Sequence, residues 1–414
     1  MDAITTDRVA KHGLSVERLA RIDAFLTERY LVPGKLPNAQ LIVARNGAPV
    51  HAFKGGSLRA DGTPLPDDAL FRIASMTKPV TSIAAMQLVE RCKIALDDPV
   101  AKVIPEFAEL GVYAGGGGAI PFAPVTRPGA PMRIVDLMTH MSGLTYGLQN
   151  RNNIDRAYRE HELDVARAHL DSQGYVEALA KLPLECAPGE RWNYSVSTDV
   201  LGVVVERVSG MRLGDYFAEH IFAPLGMTDT AFGVAPGQAH RLADAYGYRP
   251  GKPPQRVDEA GKSKLLEPGK FDSGGGGLIG TLADYHRFAT MLLNGGALDG
   301  ARIVSPKTLA LMTANHLPGG QDLTALSQSL FSESQNAGVG FGLGFAVVID
   351  PAKTLIPCSK GEFYWGGAYS TAFFVDPVER ITCVFMTQIY PSSAYPVRRQ
   401  LKTLIYSALE ESYA

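Results

Sequence analysis

The sequence predicts an α+β fold: one antiparallel sheet of about five strands, flanked by N- and C-terminal helices, with a mainly helical domain inserted into it. Three observations carry this. Segments rich in aromatic and β-branched residues cluster at the two ends of the chain. Each cluster lies beside a helical pattern at its own terminus. Between them, from about 96 to 264, helical segments alternate with Gly- and Pro-rich loops. Residues 1–95 and 265–414 would form one discontinuous domain and residues 96–264 the other, with a site in the cleft between them. At 414 residues, two domains are the default expectation.

The elements follow in order. Ser15 can cap a helix, and Val16, Leu19, Ile22, Phe25 and Leu26 recur at helical spacing behind it. In AQLIVARNGAPVHAF two apolar runs flank Asn46-Gly47, a strong short-range hairpin signal. FRIASMTKPVTSIAAMQLVE, residues 71–90, reads as an amphipathic helix with Ser75 and Lys78 at its start. In the middle, IVDLMTHMSGL and STDVLGVVVERVSG are helical pieces, and Gly115–Gly118 with Pro121, Pro124 and Pro128 forms a flexible insertion. After FDSGGGGLIG a helix runs from Asp284 to Leu293. FGLGFAVVID, EFYWGGAYSTAFFVD and RITCVFMTQI then read as three strands, and a helix over 397–409 closes the chain.

Composition excludes several classes. Nearly half the residues are apolar, a fifth are charged, and the net charge is −2, so neither a nucleic-acid groove nor a membrane surface is expected. The N-terminus has no apolar signal core and no apolar run is long enough to cross a bilayer, which predicts a cytoplasmic protein. Cys92, Cys186, Cys358 and Cys383 are widely spaced, as befits reduced thiols. The nine histidines form no compact ligand cluster, so neither metal nor cofactor is expected. GFGLGF does not open a helix and reads as a bent strand, not a dinucleotide loop.

The chemistry begins at Ser75 and Lys78. Residues three apart share a helix face, so the hydroxyl and the amine can touch. The helix dipole favours negative charge at that end. Pro79 is tolerated because first-turn amides lack helical partners. A lysine partly withdrawn from water loses its preference for the charged form and can take a serine's proton. Ser-x-x-Lys alone is a short motif that chance also supplies. Tyr194, in APGERWNYS, stands past a Pro-Gly turn at a helix entry, where it could serve a site or pack a domain boundary. The pair Gly366-Gly367 inside an aromatic strand costs stability, which a closely approaching ligand or a simple bulge would explain.

In this order, Ser-x-x-Lys, a tyrosine motif and a late glycine pair resemble the serine β-lactamase and penicillin-binding protein superfamily, and more narrowly the family VIII carboxylesterases. LMTHMSGL, APGERWNYS, FAPLGMTDT, GGGGLIGTLADYHRFATMLLNGG, GFGLGF and WGGAYSTAFFVDP extend the likeness over nearly the whole chain. The resemblance implies a serine β-lactamase-like fold. It implies Ser75 as nucleophile, with Lys78 and Tyr194 sharing its proton, and the backbone amides of Ser75 and Ala368 as oxyanion donors. Two departures from the β-lactamase pattern stand out. Val196 replaces the asparagine two residues after the tyrosine, and Trp365-Gly366-Gly367 replaces Lys-Thr-Gly. Both move the pocket from anionic amides toward uncharged esters, so Trp365, Gly366, Gly367 and Val196 are expected at the substrate.

The resemblance thus implies a serine hydrolase of short-chain esters, with a small-molecule ester as partner and weak β-lactam hydrolysis. The alternatives are an acyltransferase using the same acyl-enzyme, a β-lactamase or D-amino peptidase, and a non-catalytic scaffold or sensor. An α/β-hydrolase triad is disfavoured because no Gly-x-Ser-x-Gly occurs. His140 is expected to be buried and bonded to backbone. Asp97-Asp98 and Glu206-Arg207 read as solvated or cap-forming charges. Tyr146 and the insertion at 115–128 are candidates for the cleft wall.

Overall fold

Strands from the two ends of the chain pair into one sheet. The computed structural model describes residues 4–114, 125–127, 129–164, 169–327 and 336–414. The early strands are β1 (Asn38–Arg45) and β2 (Ala48–Gly56). The late ones are β3 (Val339–Phe341), β4 (Ala346–Val348), β5 (Phe363–Gly366), β6 (Ala372–Asp376) and β7 (Ile381–Met386). They lie in the order β3-β4-β5-β6-β7-β1-β2, and every neighbouring pair is antiparallel. The β1–β2 hairpin turns at Asn46 and Gly47, both at positive φ (55° and 78°), as the sequence expects.

Among the described residues the sheet has seven strands, not about five. FGLGFAVVID and EFYWGGAYSTAFFVD were each expected to be one strand, and each folds back on itself. Gly344 at φ 94° turns the first, and the 367–371 loop turns the second. Runs of three to five residues are too short for alternation to reveal a reversal.

Both faces of the sheet are covered. On one, Leu41 and Val43 of β1 and Cys383 and Phe385 of β7 pack with Leu19, Ile22 and Leu26 of α1 (Val16–Leu26) and Leu401 and Ile405 of α5 (Val397–Ser407). On the other, Ile42, Phe373, Val384 and Met386 meet Tyr285, Phe288 and Leu292 of α4 (Leu282–Leu293). All eight residues of β1 are therefore buried. Each large side chain so buried contributes roughly 1.5–3 kcal/mol. Ser15 caps α1 by accepting from the Arg18 amide. Val16, expected on the apolar stripe, is exposed.

Residues 71–90 were read as amphipathic. The helix α2 (Thr77–Glu90) is instead buried all round, from Thr77 to Leu88. Two of its polar residues find internal partners: Thr81 Oγ1 donates to the Gly274 carbonyl at 2.7 Å, and Gln87 Nε2 donates to the His220 and Ile303 carbonyls. It packs along α3 (Ser197–Ser209), one of the helices of the middle segment. A hairpin at 245–258 pairs through Ala245–Arg249 with Ile389–Tyr390, so strand pairing crosses the expected boundary at 264. The insertion at 115–128 lies almost wholly outside the described residues. Among the described residues, no helix is long and apolar enough to cross a membrane.

Candidate active site

Ser75 lies in a short 3₁₀ turn, Ala74–Met76, that leads into α2, instead of in the helix itself. Ala74 holds φ 46°, a conformation rare for a residue with a Cβ. Such strain beside a cavity is a mark of function-bearing backbone. Lys78, one turn on, has 2% of its surface exposed. Its Nζ donates to Gly275 O at 2.6 Å, to Tyr146 Oη at 3.1 Å and to Ser75 Oγ at 3.4 Å. It also stands 4.6 Å from the ring centre of Tyr194.

Tyr194 arrives from the loop before α3, and its Oη donates to Ser75 Oγ at 2.7 Å. The loop is held from behind. Asn193 Nδ2 donates to the Leu144 carbonyl and to Glu185, and Gln149 Nε2 donates to the Tyr194 carbonyl. The tyrosine ring is packed by His140, Tyr146 and Trp365 at centroid distances of 4.9, 5.3 and 5.5 Å. The Ser75 hydroxyl thus lies within hydrogen-bonding reach of both the amine from its own segment and the phenol from a distant one.

Ser75 opens into a cavity of about 990 Å³, walled also by Tyr146, Trp192, Tyr194, Trp365 and Ala368. Lys78 is not on its surface; it is sealed beneath Tyr146 and Tyr194. Gly366 and Gly367 line the cavity, but a ligand is not what excludes their side chains. A Cβ on Gly366 would stand 2.6 Å from Arg398 Cζ, and one on Gly367 would overlap the Ile73 carbonyl and Thr371 Oγ1. Val196, expected at the substrate, is fully buried and outside the lining. As the residue that opens α3, it turns its side chain into the hydrophobic core.

One partner escaped the sequence reading. Asp199, in the first turn of α3, accepts from Ser273 Oγ at 2.5 Å and from the Gly275 amide at 3.0 Å. It thereby holds the loop whose carbonyl binds Lys78. Burial pushes the Asp199 carboxyl up from its ordinary value, and the charge of Lys78 opposes this. The glycine run FDSGGGG was the available signal: a Cβ on Gly275 would collide with the Asp199 carboxylate. Burial also raises the Tyr146 hydroxyl well above its ordinary value, with the Asp199 charge adding to the effect. His140 is buried, as expected, but its Nδ1 meets Ser195 Oγ at 3.3 Å instead of backbone. Burial keeps its pKa well below the usual histidine value, and Lys78 adds to this. Among the described residues, no three His, Cys, Asp or Glu side chains converge as a metal site.

The beta-lactamase family profile matches residues 22–406. Esterase EstB of Burkholderia gladioli is 31% identical, over 98% of this chain and all of its own length. Protein Rv1367c of Mycobacterium tuberculosis is 37% identical over 80% of each chain. Among solved structures, EstCE1, described as a hydrolase with promiscuous acyltransferase activity, superimposes with a TM-score of 0.75 at 27% identity, over 94% of this chain and 98% of its own. With its fold, its full-length relatives and Ser75, Lys78 and Tyr194 in one cluster, the chain belongs to the beta-lactamase family, in its family VIII carboxylesterase branch.

Proposed function

We propose that the protein is a serine carboxylesterase that works through an acyl-enzyme on Ser75. The carrying observation is the Ser75 hydroxyl held between Tyr194 Oη at 2.7 Å and Lys78 Nζ at 3.4 Å, at the floor of an aromatic-walled cavity. In this reading the reactive form has Tyr194 Oη deprotonated, so that the Ser75 hydroxyl donates across the same 2.7 Å contact and its proton passes to Tyr194 Oη as Oγ attacks the ester carbonyl. The amides of Ser75 and Ala368 bind the oxyanion of the tetrahedral intermediate. Collapse expels the alkoxide, which Tyr194 protonates, and water then attacks the acyl-enzyme by the same steps. Three acceptors surround Lys78 Nζ, as many as the N–H groups of an ammonium. Tyr194 is the nearer group to Ser75, so we assign it the direct proton transfer, with Lys78 stabilising the phenolate.

Trp365 puts an indole where a cation would attract a carboxylate, which favours uncharged esters. All four cysteines are free thiols, in keeping with a reducing, cytoplasmic setting. A second reading is acyl transfer to an alcohol. The similarity to EstCE1, with its stated acyltransferase activity, supports it. A chromogenic ester tests both readings. Ser75→Ala is expected to lose at least about 10⁴-fold in kcat with its fold intact. Uncharged esters should turn over faster than anionic β-lactams. Acceleration by an added alcohol marks acyl transfer. Normal turnover by Ser75→Ala would end the nucleophile assignment.

A further inference from the structure

Gly367 and Ala368 share one peptide plane. In a trans peptide the carbonyl and the following amide hydrogen point to opposite sides, so whatever grips the Gly367 carbonyl also aims the Ala368 amide. Two groups grip it: Arg398 Nη2 at 2.6 Å and the Ser370 amide at 3.0 Å. The same guanidinium nitrogen donates to the Thr371 carbonyl at 2.8 Å, so one cation clamps both ends of the 367–371 loop. Arg398 reaches there from the first turn of α5, lying flat against Gly366, where a Cβ would stand 2.6 Å from Cζ. The loop is closed by the Gly367 amide on the Thr371 carbonyl at 2.8 Å. It is tied to the segment entering the Ser75 turn by Thr371 Oγ1 on the Ile73 carbonyl at 3.3 Å. The strand preceding the loop, β5, packs on the Ala74–Met76 turn.

We propose that Arg398 is a positioning residue of the oxyanion hole: it fixes the direction of the Ala368 amide and polarises it through the shared peptide group. This rests on the acyl-enzyme reading above. A charged donor makes a stronger hydrogen bond than a neutral one, and hydrogen bonds in series polarise one another. The cation thus acts on the transition state without touching the substrate. The guanidinium lies in the space that a side chain at 366 would enter, so glycine there lets Arg398 reach the loop.

The test uses the full-length enzyme and an uncharged p-nitrophenyl ester. Arg398→Ala is expected to lower kcat about 30- to 100-fold, short of the 10²–10³ of a removed donor, with KM changed less than about 2-fold. A boronic acid that captures the serine should weaken by a factor similar to the loss in kcat. The acyl-enzyme carbonyl stretch, isolated by ¹³C-difference infrared spectroscopy, should move to higher frequency as the hydrogen bond to it weakens. Arg398→Lys should fall between the two, since an ammonium lacks the planar fork, and millimolar guanidinium should partly restore Arg398→Ala. Should the alanine variant fail to fold, the lysine variant's carbonyl stretch decides. An acyl band that forms but does not move, with boronate affinity unchanged, overturns the role of Arg398 alone. A rise in KM without loss of kcat overturns it in favour of substrate binding. Absence of any acyl band in the unsubstituted enzyme overturns the acyl-enzyme reading and this inference with it.

Discussion

At the scale of single residues, the proposed chemistry rests on how few hydrogen-bonding choices Ser75 has. Tyr194 Oη and Lys78 Nζ are its close side-chain partners, and each is locked by neighbours: Tyr194 by its loop and ring contacts, Lys78 by Gly275 O and Tyr146. Groups that pass one proton act as a unit. Lys78→Ala and Tyr194→Phe are each expected to lose about 10²–10⁴-fold in kcat. The double variant should lose little more than the worse single one, which steady-state kinetics on all three would show. Near-full activity in either single variant would dissolve the proposed pair. The residues that raised the question in the sequence were those with unusual placement, such as a lysine opening an apolar helix. Arg398 was illegible because a base on a terminal helix has an ordinary explanation, and Asp199 had only the glycine run that faces it as a mark. Val196 misled because its position follows Tyr194 by two residues, yet the start of α3 sends its side chain into the core.

At the scale of elements, α2 is the part whose burial matters most. It was expected to show one face to solvent, but α3, the Gly274 loop, the Ile303 segment and the Gly344 turn all pack against it. Hydrophobic periodicity cannot distinguish these cases when small polar residues such as Thr81 and Ser82 are themselves buried. The close fit can be tested at Gly344, in the β3–β4 turn. Its φ is 94°, and a Cβ there would overlap the hydroxyl of Ser82 on α2. Gly344→Ala combines an unfavourable backbone conformation with overpacking, and should cost about 2–4 kcal/mol in denaturant unfolding. A loss under about 0.5 kcal/mol would show that the turn and helix do not press on each other. The two unforeseen strands have the same origin: each segment holds a hairpin turn, at Gly344 and at 367–371, between strands too short for alternation to mark the reversal.

At the scale of the whole molecule, the ends of the chain are joined by a buried cation. Arg45, at the end of β1, pairs with Glu379 at 2.8 Å, donates to the His12 and Gly13 carbonyls, and faces the Tyr413 ring at 4.0 Å. Removing one partner of a buried pair leaves the other charge uncompensated, at about 3–5 kcal/mol. Arg45→Met is therefore expected to lower unfolding stability by about that much while kcat on a chromogenic ester stays within about 2-fold; an unchanged stability would show that the pair contributes no net stabilisation. The sequence by itself determined the α+β class, the sheet built from both chain ends, the family, and the residues that meet at Ser75, because apolar patterning and short motifs are local properties. Only the tertiary structure decided the seven-strand order, the enclosure of α2, the turning of Val196 away from the cleft, and the pairing of Asp199 with the Gly275 loop and of Arg398 with the Gly367 carbonyl. Each of these depends on which segments come to share a boundary, and contacts such as those of Asp199 with Gly275 and Arg398 with Gly367, 76 and 31 positions apart, have no local signature.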